Sequence, residues 1–152
     1  MIRDVWFVLP LSIAQVQSAA QPVGVGGWLL ILCRLLIVYQ PLSFAVTASS
    51  ALSGIGIRGA GFLVALTIRL LVTALTVAAG LALTNRHAGA VRLAKVALLC
   101  SAACDVFIYT TPYYPNNRPP GDTPFYIAAS LIYHAVWLVY LSRSQRVRNT
   151  YS

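Results

Sequence analysis

Apolar positions along the chain gather into four long runs, each broken from the next by polar or Gly- and Pro-rich residues. About 20 apolar residues rising 1.5 Å each cross a hydrocarbon core. The runs therefore predict spans at 27–48, 61–83, 91–111 and 125–142. Pro41 falls inside the first run and predicts a kink, because proline has no N–H for the helix ladder. The small residues of SSALSGIGIRGAG, at 49–61, read as the connection to the second span. Asn85, Arg86, His87 and Gly89 make a short polar turn before the third. The segment TPYYPNNRPPGDTP is too rich in proline to continue a helix, which predicts an outer loop at 112–124.

The last residues, 143–152, read as a basic polar tail. The first 22, MIRDVWFVLPLSIAQVQSAAQP, hold only a short apolar run interrupted by Pro10, with Asp4 offsetting Arg3. Both features weaken a secretory-signal reading and predict that Met1 is retained. This segment is expected to lie in the membrane interface as an amphipathic helix anchored by Trp6 and Phe7. The predicted fold is all-α: one transmembrane domain over 1–152, an integral membrane four-helix bundle with an N-terminal interfacial segment.

Composition narrows the solvent. Hydrophobic residues make up 59% of the chain and charged residues 9%, with a mean hydropathy of +0.75. So few charges cannot cover a globule in water. The formal charge of +8 would suggest nucleic acid in a soluble protein. In a membrane protein it reads as cytoplasmic loops and anionic head groups, so no nucleic-acid partner is expected. With both termini cytoplasmic, the inner side carries Arg3, Arg86, Arg92, Lys95, Arg143, Arg146 and Arg148, and the outer loops carry Arg58 and Arg118. That asymmetry predicts a cytoplasmic or inner-membrane protein in this orientation.

Ionisable groups inside spans are expensive and default to the bundle interior. Arg69, Asp105 and His134 lie roughly 12, 9 and 13 Å from the outer ends of their spans, one shared layer. Each sits on a polar stripe of residues three or four apart: Arg69 with Thr73 and Thr76, Ser101 with Asp105 and Tyr109, Tyr126 with Ser130 and His134. The candidate centre is therefore Arg69, Asp105, His134, Tyr109 and Ser130. It reads either as a buried Arg69–Asp105 pair that fixes helix packing or as a substrate or proton site open to the outer loops. Arg34, roughly 10 Å from an inner helix end, reads as a snorkelling side chain, and Trp28 as a second interfacial anchor beside Trp6. Tyr113, Tyr114 and Arg118, with Tyr126 beyond, read as an interfacial belt on a rigid turn.

Cys33, Cys100 and Cys104 lie in apolar runs and resemble small hydrophobes. Cys100 and Cys104 have the wrong spacing and position for a reactive pair, so neither a metal nor a redox centre is expected. His134 is the one histidine in a span, which leaves haem without a second axial ligand. No phosphate loop, nucleophile elbow or paired-carboxylate arrangement occurs, so neither catalysis nor a cofactor is expected.

Two segments carry a family resemblance: GVGGWLLILCRLLIVYQPL at the start of the first span and VWLVYLSRSQRVRNTYS at the end of the fourth. They resemble the bacterial membrane proteins of domain-of-unknown-function family 2569, which look similar in their Gly-Gly-Trp-Leu opening, about four spans and an Arg-Val-Lys-x-Thr-Phe tail. Arg148 and Tyr151 stand where that tail has Lys and Phe. The resemblance implies fold and topology and no activity. The expected function is a non-enzymatic membrane module acting through the bilayer, a membrane protein partner or its own oligomerisation. The alternative is a small carrier or sensor whose ligand sits at Arg69, Asp105 and His134.

Overall fold

The structure is a computed structural model that describes residues 24–52, 55–111 and 121–151. The expected interfacial segment with Trp6 and Phe7, and the loop residues Tyr113, Tyr114 and Arg118, lie outside the described residues. Among the described residues the chain is helical, with no strand. The elements are α1 (Trp28–Arg34), a π-helical stretch (Leu35–Tyr39), α2 (Gln40–Leu52), α3 (Ile55–Thr84), α4 (Ala90–Thr110), α5 (Thr123–Arg143) and α6 (Gln145–Tyr151). Among the described residues, three helical stretches are long and apolar enough to cross a membrane: Trp28–Ser49, Gly59–Thr84 and Thr123–Arg143.

Pro41 does not break the first of these. A proline ring in a regular helix collides with the carbonyl four residues back, here Ile37, and offers it no N–H. The helix widens just before Pro41 instead, and the Gln40 N–H donates to the Leu35 carbonyl five residues back, a π-helical turn. The expected connection at 49–61 is also largely helical, since Ala and Ser continue a helix where no proline intervenes. Its described break is at Gly59, where φ of 72° and ψ of −175° need a residue without Cβ.

Helix α3 ends in a Schellman motif: the His87 N–H donates to the Ala82 carbonyl and the Arg86 N–H to that of Leu83. Arg86 holds the left-handed position, φ 53°, that glycine usually takes. Helix α4 then runs back between α3 and α5. Its buried stripe of Ala90, Ala94, Ala97, Leu98, Ser101, Cys104, Asp105 and Ile108 is mostly small, which lets neighbouring backbones approach. Gly80 of α3 marks the tightest approach, because a Cβ there would lie 2.6 Å from Ile37 Cγ1 and 3.1 Å from Leu36 Cβ. Proline at the second position of α5, Pro124, suits a helix start, where the missing N–H costs nothing.

Leu63, Leu70, Leu71, Ile132, Val136 and Val139 are exposed on the outer faces. Inside, Leu29, Leu32, Cys33, Leu36, Ala79, Leu83, Ala94, Leu98, Trp137, Leu141 and Val147 belong to one cluster. A smaller one holds Phe62, Ala65, Cys104 and Ile108.

Val147 in the larger cluster corrects the reading of 143–152 as a polar tail. The segment folds into α6 and docks: Val147 is 2% exposed. The Thr150 hydroxyl accepts from the Gly24 N–H at 3.0 Å. The Tyr151 hydroxyl donates to the Leu83 carbonyl at 2.5 Å, meeting a helix-end oxygen. The Arg146 guanidinium packs on Gly26 and Gly27, where a Cβ would lie 2.9 and 3.1 Å from Nη1. The two segments that carry the family resemblance therefore meet at one end of the bundle, called the tail end below.

Burial pushes the Tyr151 phenol up to about 12, with Cys33 adding to the rise and Arg86 opposing it. An ordinary tyrosine titrates near 10. The docked tail thus favours the neutral phenol, a preference fully present below pH of about 10 and lost as pH climbs toward 12. A label at exposed Arg148 is expected to report alkaline release of the tail in that window. Tyr151→Phe should remove the step, and an unchanged release curve in that variant would exclude the phenol as the latch.

Candidate functional site

In the half of the bundle farther from the tail end, four helical segments turn polar groups toward one another. Arg69 of α3 pairs through Nη1 with Asp105 Oδ1 of α4. Asp105 Oδ2 accepts from Ser130 Oγ of α5 at 2.8 Å. His134 lies one turn on from Ser130, with Nδ1 2.8 Å from the Ser130 carbonyl and 3.4 Å from its hydroxyl. Arg69, Asp105, Ser130 and His134 thus form one connected chain, with Tyr109 and Tyr126 near it at 6.5 Å between ring centroids.

A carbonyl can only accept, so the Nδ1 that faces the Ser130 carbonyl carries the proton of the neutral ring. That leaves Nε2 as a lone-pair acceptor. His134 is 2% exposed, and Nε2 is buried with no hydrogen-bond partner. Such groups cost free energy and are uncommon outside functional sites or hydrated ones. Tyr133 sets its ring edge-on against the imidazole at 5.1 Å.

These groups line a cavity of about 230 Å³ with Tyr39, Gln40 and Ser43. It is smaller than the roughly 300 to 1,000 Å³ of sites for drug-sized molecules, so it suits a ligand of few atoms or a small water cluster. Gln40 and Ser43 were not among the expected site residues. The signal was a polar residue in mid-span beside Pro41, with Ser43 three residues on; the π turn aims that face at the cavity. Thr73 and Thr76 contribute less than their stripe suggests, because each hydroxyl donates to its own helix, to the Arg69 and Thr73 carbonyls at 2.8 Å.

The remaining expected positions lie elsewhere. Arg34 is exposed on the outer face of α1, in a shallow groove with Ile31, Leu35, Val38 and Leu42. Trp28 is 66% exposed, its ring 6.4 Å from Trp137. Cys33 and Cys104 belong to different core clusters, and Cys104 sits beside the Arg69 guanidinium. Among the described residues no three His, Cys, Asp or Glu side chains are placed to share a metal.

The centre can neutralise a charge pair away from water while offering a buried acceptor to a proton or a hydrogen-bond donor. In comparisons with known proteins, no family model, no curated protein and no solved structure matches this chain.

Proposed function

We propose that the chain is a non-enzymatic inner-membrane protein of four spans, with α4 as the third, and that it works as a small carrier or sensor. Its ligand or proton occupies the polar centre at Arg69, Asp105, Ser130 and His134. The observation that carries this reading is the cavity itself, which a part-buried ion pair and His134 line together, with the unpartnered imidazole Nε2 buried beside it. A pair serving only helix packing needs no space beside it. Both termini are cytoplasmic in this reading, supported by seven basic residues on that side against two on the other. A reporter fused after Tyr151 checks the orientation, and an extracytoplasmic signal overturns it. The family-2569 resemblance supports the same topology, through segments that meet at the tail end.

The test of the site is what the protein carries. After gentle purification and denaturation, wild type is expected to release a small polar molecule in near-stoichiometric amount, seen by mass spectrometry. His134→Gln should lose it while melting within a few degrees of wild type. The same release from both proteins would leave the carrier or sensor reading without its site.

A module acting through partners or self-association is the second reading, and α5 favours it. Only 17% of its most apolar stretch is buried, so most of that helix is open to lipid or a second copy. A bundle this small also encloses little volume by itself. Equal small-molecule release with a dimer in solution would support the module.

A further inference from the structure

A second cavity, of about 540 Å³, opens at the tail end between the first turns of α4 and the end of α6. Gly89, Val91, Arg92, Lys95 and Tyr151 line it. Arg92 and Lys95 are three residues apart and share a face of α4. Neither finds a carboxylate among the described residues. The chain has three acidic residues: Asp105 is held by Arg69, Asp122 sits at the opposite end before α5, and Asp4 lies outside the described residues. The first turn of α4 also has no acidic residue. Arg92 stands in the first turn, at the positive end of the helix dipole, and Lys95 one turn on adds a second positive charge, so an anion between the two relieves their repulsion.

We propose that this pocket seats the phosphate of an anionic phospholipid, with Arg92 and Lys95 as its cations and Tyr151 as its wall. The inference rests on the membrane-spanning reading and is independent of any ligand at His134. A lipid is favoured over a soluble phosphate by level and lining. The pocket lies where α3 ends and α4 begins, at the same end as exposed Trp28, and Val91 gives it an apolar side. Basic pockets between helices at this depth suit lipid head groups. The wall depends on the docked tail, since Tyr151 is pinned to the Leu83 carbonyl.

The full chain in micelles doped equally with phosphatidylglycerol and phosphatidylcholine tests this by native mass spectrometry. Wild type is expected to retain the anionic lipid on the order of tenfold over the zwitterionic one. Arg92→Gln with Lys95→Gln should bring the ratio close to parity. Arg143→Gln with Arg148→Gln removes the same formal charge and should preserve it. The charge-keeping exchange Arg92→Lys with Lys95→Arg should also preserve it, which separates lost binding from lost folding. Equal loss in both neutralised doubles would reduce the effect to a diffuse basic surface and overturn the site. No preference in wild type would mean that the chain's own carboxylates meet these cations, and would overturn the site as well. Displacement of the lipid by millimolar inorganic phosphate would assign the pocket to a soluble anion and overturn the lipid.

Discussion

Replacing Asp105 by alanine is expected to destabilise the bundle by about 3 to 5 kcal/mol, and replacing Arg69 by alanine by a similar amount. The side chains are 12% and 18% exposed respectively. That places the pair outside the regime of solvated surface ion pairs, whose loss costs about 0 to 1 kcal/mol. The expense comes from the survivor. Without Asp105 the Arg69 guanidinium stays buried with no counter-charge, and without Arg69 the carboxylate keeps only the Ser130 hydroxyl. Removing both strands no charge, so the double variant should lose less than the sum of the two single losses. Denaturant unfolding of all four proteins measures the coupling. A coupling near zero would mean that the two groups do not act as a pair.

Gly80→Leu is expected to cost about 1 to 3 kcal/mol, the usual range for overpacking a tight contact. Nothing near Gly80 is free to yield. The first atoms a side chain meets are Ile37 Cγ1 and Leu36 Cβ, with the Cys33 carbonyl at 3.4 Å. These belong to the stem of one side chain, the root of another and a backbone. Relief requires moving the helix that carries Tyr39 and Gln40, so the cavity wall moves with it. On the carrier or sensor reading, Gly80→Leu should therefore also weaken ligand binding at the polar centre, though Gly80 does not line it. Unfolding measurements that leave Gly80→Leu as stable as wild type would show that the approach of the two helices is loose.

What could be read from the chain was whatever depends on one helix at a time. The apolar runs place α3, α4 and α5 to within a few residues, because burial of backbone in lipid leaves helices as the main option. Similar depth for Arg69, Asp105 and His134 follows from counting along each helix. The contribution of the first helix did not follow, because facing a cavity there depends on how Pro41 is accommodated, and a π turn and a kink look alike in sequence. Thr73 and Thr76 misled for a related reason: a hydroxyl on a polar stripe can serve its own backbone as well as a neighbour. Docking of the tail was hidden in composition. Seven residues with two arginines read as solvated, and only the spacing of Val147 and Tyr151, one turn apart, hints at a face to bury.

The Gly24 N–H and the Thr150 hydroxyl are 126 residues apart in the chain. At ribosomal speeds of about 5 to 20 residues per second, Thr150 is made some 6 to 25 seconds after Gly24. Over that interval the glycines that open α1 lack Arg146 and Thr150. A nascent chain stalled before Gln145 would hold every helix from α1 to α5 and still lack the hydroxyl that the Gly24 N–H meets in the docked tail.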